Sequence, residues 1–417
     1  MNEQNKSGLV TRRDFGKVVL GAVPALGIAT GLGGSTLSAL GQMAAMAKPN
    51  SLINGVQIGT ITYSFRSMPD QSAEATLRYC QESGINAIEL MAGPIQNYLG
   101  MPSRGGGGGG GRAAAGGAAG AAGAPAGPGG APGRGGRGPV DPATLTSSWN
   151  GVACAPSREG GGGRAAAAPA AALTAAAGAQ PNAAAPAGGR AGRGGPQTPE
   201  QEAAAAQYAA DLKKWRESVS TDKIKALRKL FNDAGVTIYA TKTISTNMSD
   251  EELDFHFAIA QGLGATHTTL ELTEDEAALK RLGDFGLKKK IFVAYHTHAQ
   301  GTITVFDKAF AASKGNYANV DFGHYVAGGG GNPVLFLEKF HDRISSFHLK
   351  DRTTPDHCAL NLPWGTGETP IKEILQTVKK NKWKMPASIE LEYSVPEGSD
   401  AVKEVRKCLQ YCKDALA

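Results

Sequence analysis

Residues 56–90 read VQIGTITYSFRSMPDQSAEATLRYCQESGINAIEL. The run from Val56 to Tyr63 is rich in apolar and β-branched residues and predicts a strand, while Ser72 to Ser83 predicts a helix. Gly84 is the stop, because glycine enters the left-handed conformation without a Cβ clash. Ile85 to Leu90 then predicts a second strand. A strand, a helix and a strand in so short a stretch make a unit whose two strands lie parallel.

The same alternation continues further along the chain. Ile224, Leu227 and Phe231 share one face of a helix that runs to Ala234 and is closed by Gly235, and Val236 to Thr241 is a third strand. Ser249 with Glu252, and Thr273 with Glu276, have capping-box spacing and open helices on either side of a fourth strand at Thr266 to Leu272. Further strands are predicted at Ile291 to His296, Ala318 to Phe322, Ile344 to Leu349 and Ser388 to Leu391. The helices between and after them are Val305 to Ser313, Val334 to Phe340, one opened by Thr369 and Pro370, and Asp400 to Leu416. Eight such units predict an α/β fold, a closed (β/α)8 TIM barrel.

Two segments stand outside this pattern. Residues 103–200 are mostly Gly, Ala, Pro and Arg with almost no large aliphatic side chains, too little apolar surface to offset chain entropy, so a long disordered insertion after the second strand is expected. Residues 1–47 contain T-R-R-D-F-G-K from Thr11 to Lys17, then an apolar run to Leu32 and an A-x-A site at Ala45 to Ala47. This resembles a twin-arginine signal peptide, which implies a partner in the twin-arginine export machinery and a periplasmic or extracellular product with no stable membrane anchor. The barrel is therefore expected over 48–102 and 201–417, about 270 residues and the usual size of one such domain.

The formal charge of +6 is carried outside the barrel. Residues 1–48 hold five basic and two acidic side chains, and 103–200 hold eight arginines against three acids, which leaves the barrel slightly acidic and argues against nucleic acid as a partner. Five cysteines in a chain of this size predict no disulfide framework. Nothing in the pattern decides between a monomer and a homo-oligomer.

Chemistry in such barrels belongs to the tips where strands run into their following loops. By that rule His256, His267, His341 and His357 read as structural, whereas His296, His298, His324 and His348 all fall at tips. So do Glu89, Glu271, Asp321, Glu390 and Glu392. Carboxylates buried at a barrel mouth are costly unless a cation or a proton neutralises them, and a metal would do so. Period-two alternation puts Glu390 with Glu392, His348 with Lys350, and His296 with His298 on shared faces. One histidine with three carboxylates is a mostly hard-oxygen set, which favours Mn or Mg, with Co or Zn as further candidates.

The tips AYHTH (ending at His298), DFGH (Asp321 to His324), FHLKD (Phe347 to Asp351), WGTGE (Trp364 to Glu368) and IELEY (Ile389 to Tyr393) together resemble the xylose isomerase-like barrel superfamily. Its members include sugar phosphate isomerase/epimerases, tagatose-type 3-epimerases and inosose dehydratases. The resemblance implies metal ligands at Asp321, His348 and Glu390, and a fourth at either Glu271 or His296, with Glu271 preferred because it restores a pair of acids for proton transfer. It implies catalytic roles for Glu271, Glu390, His324 and Lys350, the last stabilising an oxyanion, and substrate contacts from Glu89, His296, His298, Asp351 and Glu392.

The implied activity is metal-dependent isomerisation or epimerisation of a ketose or 3-keto sugar through an enediolate. A dehydratase or 3-keto-glycoside lyase on the same scaffold and a non-catalytic carbohydrate-binding protein are the alternatives. Endonuclease IV shares the superfamily, but its work on DNA calls for a basic face that this barrel lacks. Export turns the expected substrate from sugar phosphates toward a free or oxidised sugar.

Overall fold

In the computed structural model, which describes residues 48–103, 148–149, 152–153 and 198–417, the first helix is Ala73–Ser83. Ser72 caps it by accepting from the backbone N–H of Ala75 at 3.1 Å, and Gly84 ends it at φ 83°. The leader and most of the 103–200 insertion lie outside the described residues. No described helix is long and apolar enough to cross a membrane.

Eight strands follow in chain order: β1 Val56–Ile61, β2 Ala87–Met91, β3 Thr237–Lys242, β4 His267–Glu271, β5 Phe292–His296, β6 Asn316–Asp321, β7 Ile344–Leu349 and β8 Ala387–Ile389. Each pairs in parallel with its sequence neighbours, and β8 pairs with β1, so the sheet closes. Helices join consecutive strands and bury one face each, as Ile224, Leu227 and Phe231 do on Thr221–Asp233. The fold is therefore the expected TIM barrel. The strands are almost wholly buried because the barrel interior is filled by side chains on one face and covered by helices on the other.

Three local expectations change. Ser249 and Glu252 form the predicted capping box, but the helix Glu276–Lys289 is capped by Asp275, whose carboxylate accepts from Ala278 N–H at 3.1 Å. Thr273 instead accepts from the backbone N–H of Asp275, so the nearer carboxylate takes the cap. Thr369 does not cap the helix Ile371–Asn381 either, since its hydroxyl accepts from Arg352 N–H at 3.0 Å. The expected absence of disulfide support also fails at one place: Cys358 is disulfide-bonded, while Cys80, Cys408 and Cys412 are free and buried.

Candidate metal centre

Register brings the site together before any side chain is considered. His296 at the end of β5 pairs with Asn319, Asp321 at the end of β6 pairs with His348, and His348 pairs with Ser388, one residue before Ile389. All of these lie at the C-terminal end of the barrel. Four donors converge there, one atom each from His296, Asp321, His348 and Glu390, all within 4.8 Å of one another and all buried.

Glu271, expected as the fourth donor, is not among them. It is the register partner of His296, but its side chain is 49% exposed and pairs with Lys242 Nζ at 2.7 Å and with His298 Nδ1 at 3.2 Å. Lys242, at the end of β3, holds it at the rim. Lys242 was not among the residues expected at the site. His298, 51% exposed, stands beside Glu271, and with His296 and His324 it makes a second cluster of close nitrogens.

Asp321 has two unlike oxygens. Oδ1 accepts from His324 N–H at 2.7 Å and starts the short helix Phe322–Ala327, whereas Oδ2 makes no hydrogen bond and lies 3.2 Å from Lys350 Nζ. Burial pushes this carboxyl up to about 6 against the pull of Lys350. A fully buried carboxylate oxygen with no hydrogen bond, only an ion pair to Lys350, and facing three other donors is what a bound cation would satisfy. The residues present therefore fit a divalent metal. Two imidazoles and two carboxylates are a softer set than the one histidine and three acids read from sequence, and suit Mn, Fe, Co or Zn better than Mg.

His348 is gripped from both sides, with Nε2 2.8 Å from Glu89 Oε2 and Nδ1 2.8 Å from Glu390 Oε2. Burial opposes the charged ring, but the two carboxylates outweigh it and raise His348 to about 10. Glu89 was expected to meet substrate. It is fully buried and also accepts from Thr269 Oγ1 at 2.5 Å, so it acts on His348 from beneath. Despite its burial Glu89 is lowered to about 2 by His348.

Lys350 Nζ reaches Glu392 (2.6 Å), Glu390 (3.0 Å), Asp321 (3.2 Å) and His324 Nε2 (2.9 Å). Gly323 makes room for it, since a Cβ there would lie 2.2 Å from the Lys350 Cγ. His324 faces a second cation, with Arg352 Nη1 donating to Nδ1 at 2.6 Å, and burial with these two neighbours keeps its ring neutral. A neutral imidazole has only one lone pair to offer, so one of the two contacts stays unfavourable until another group enters. Neither Arg352 nor Asn319 was singled out from sequence. Asn319 lies two residues before Asp321 on the same face, the signal that could have found it.

Asp351 was also expected at the substrate. Its carboxylate instead accepts from the backbone N–H groups of Gly365 (2.8 Å), Thr366 (3.1 Å), Gly367 (2.9 Å) and Thr369 (3.2 Å), which fixes the WGTGE loop. Glu392, Lys350, His324 and Glu390 are brought together around the Lys350 ammonium.

The family described as xylose isomerase-like TIM barrel matches residues 202–412. No curated protein matches the chain. Among solved structures, a xylose isomerase domain protein from Planctomyces limnophilus is 14% identical with a TM-score of 0.39, covering 47% of this chain and 82% of its own. A sugar phosphate isomerase/epimerase from Parabacteroides distasonis ATCC 8503 is 18% identical with a TM-score of 0.37, over 45% and 76%. A D-allulose 3-epimerase from Methylomonas sp. is 14% identical with a TM-score of 0.36, over 48% and 84%.

Proposed function

Because the chain belongs to the xylose isomerase-like TIM barrel family, we propose that it is a divalent-metal-dependent enzyme that moves a proton at a carbon beside a sugar carbonyl, as an isomerase or epimerase. The observation that carries this reading is the convergence of His296, Asp321, His348 and Glu390, with Asp321 Oδ2 free of hydrogen bonds. A divalent cation held by these four would polarise a carbonyl and a neighbouring hydroxyl, which acidifies the hydrogen on the carbon between them.

The chain's own groups supply the rest. Glu390, itself one of the four donors, is kept as the carboxylate because Lys350 and His348 outweigh its burial, and is the base of the site. Lys350 stands ready to hold an oxyanion. At the rim, His298 backed by Glu271 can give a proton to an enediolate, or take one from it. Arg352 and His324 orient sugar hydroxyls.

Elimination of a β-hydroxyl or β-glycosidic group is a second reading. It is favoured by the unlike nature of the two acid–base groups: a carboxylate among the donors and a histidine at the rim suit taking a proton at one atom and giving one at another. We also propose export of the folded protein by the twin-arginine route, on the strength of Thr11–Lys17, and hence a free or oxidised sugar as substrate.

The test is turnover on a panel of free ketoses and 3-keto sugars with Mn, Co or Zn, comparing the wild type with Glu390→Gln. The proposal expects metal-dependent conversion that the substitution abolishes. Sugar binding without any conversion would leave a carbohydrate-binding protein in its place.

A further inference from the structure

Beneath the four donors, five side chains form one hydrogen-bonded file across the barrel. His296 Nδ1 lies 3.0 Å from Asn319 Oδ1, and Asn319 Nδ2 donates to Ser346 Oγ at 2.7 Å. Ser346 Oγ lies 2.8 Å from His267 Nε2, His267 Nδ1 lies 2.9 Å from Thr266 Oγ1, and Thr266 Oγ1 donates to the backbone carbonyl of Tyr239 at 3.2 Å. Asn319 is the register partner of both His296 on β5 and Ser346 on β7, and Ser346 reaches back across the interior to His267 on β4. Asn319, Ser346 and His267 are wholly inaccessible to solvent, so no water relieves a mismatched pair.

The far end of the file sets its direction. A carbonyl only accepts, so the Thr266 hydroxyl proton points to Tyr239 and its oxygen accepts from His267 Nδ1–H. Burial keeps His267 neutral, lowered to about 4, so its Nε2 has a lone pair and accepts from the Ser346 hydroxyl. Ser346 oxygen then accepts from Asn319 Nδ2, which turns Asn319 Oδ1 toward His296. His296 is thereby Nδ1–H, and Nε2 is left as a lone pair for the donor group. Run the other way, the same file would put an Nε2–H of His296 against the metal position.

We propose that Asn319, backed by Ser346 and His267, is a positioning residue that holds His296 as its Nδ1–H tautomer and so makes it a metal ligand. This rests on the reading of the four donors as a metal centre. Histidine ligands commonly depend on such a partner for ring orientation and tautomer.

The experiment uses full-length protein stripped with a chelator and titrated with Zn by calorimetry. Asn319→Leu removes the acceptor and is expected to weaken Zn binding about ten- to a hundredfold, whereas Asn319→Asp keeps an acceptor at the same atom and stays close to wild type. Nitrogen NMR of labelled histidines in the Zn-loaded wild type, which needs no substitution and no folding control, is expected to show both His296 and His267 as Nδ1–H tautomers. Equal affinity in Asn319→Leu and wild type, equal loss in both variants, or an Nε2–H tautomer at His267 would each overturn the assignment. A wild type that takes up no Zn, Mn or Co overturns the metal centre itself, and is seen before any variant is made.

Discussion

Nε2 of His348 lies 2.8 Å from Oε2 of Glu89, and neither side chain is accessible to solvent. A carboxylate behind a histidine fixes which nitrogen carries the proton, here Nε2, and raises the basicity of the other. That other nitrogen, Nδ1, faces Glu390 at 2.8 Å. The two carboxylates raise the ring to about 10, which favours the imidazolium at neutral pH. Metal binding must therefore expel a proton from Nδ1. Calorimetric titration at pH 7 in buffers of different ionisation enthalpy is expected to show release of about one proton per metal bound. Heats independent of the buffer would contradict it.

Lys350 pairs with three acids at the site, Asp321, Glu390 and Glu392. Lys350→Met leaves Asp321, Glu390 and Glu392 without their shared ammonium, and removing one partner of a buried ion pair costs about 3–5 kcal/mol. The variant is expected to melt well below wild type when metal-free and to recover much of that loss on adding metal, because a cation restores the balance. Turnover is expected to fall about a hundredfold or more from the loss of the oxyanion partner. An unchanged metal-free melting temperature would contradict this role.

Two buried histidines make the fold sensitive to acid. Burial lowers His256 and His267 to about 4 from the ordinary 6.5, and His256 Nδ1 has no hydrogen bond. The unfolded chain takes up protons at these sites near pH 6.5 while the folded chain does not until about 4, so stability is full above that window and falls as pH drops through it. Each site contributes roughly 3 kcal/mol over the whole window. Urea unfolding at pH 7 and pH 5 is expected to show a smaller acid loss in His256→Leu than in wild type, by about 2 kcal/mol. Identical losses would contradict it.

Cys358 is oxidised whereas Cys80, Cys408 and Cys412 are free, and the remaining cysteine of the chain, Cys154, lies outside the described residues. Peptide mapping of non-reduced protein is expected to find Cys358 linked to Cys154 and the other three alkylatable after unfolding. The strand Ser148–Trp149, which pairs antiparallel with Val152–Ala153, sits beside the turn Pro355–His357, which favours that link. A free Cys358 in protein purified from an oxidising compartment would contradict it.

The barrel was legible in the sequence because each β/α unit carries its own local signals. Gly84 and the Ser249–Glu252 pair act within a few residues, and strand period does the same. Asp321, His348 and Glu390 were legible for a related reason, each standing at the tip of a strand. The fourth donor was not. Glu271 and His296 are register partners at the same height, and what separates them is Lys242, which draws Glu271 to the rim from a strand nearly thirty residues earlier. The same holds for Glu89 and Asp351, whose carboxylates are taken up by His348 and by the WGTGE backbone, partners that no local pattern displays. His267 read as structural, and it lies in the hydrogen-bonded file that ends at His296.

The central claim is that His296, Asp321, His348 and Glu390 hold one divalent cation. Elemental analysis of the purified full-length protein, alongside Asp321→Asn and His348→Gln prepared identically, tests it most directly. The account predicts close to one equivalent of Mn, Fe, Co or Zn in the wild type and a loss of most of it in both variants. A wild type without stoichiometric metal after growth in metal-replete medium, or variants that retain it in full, would contradict the account.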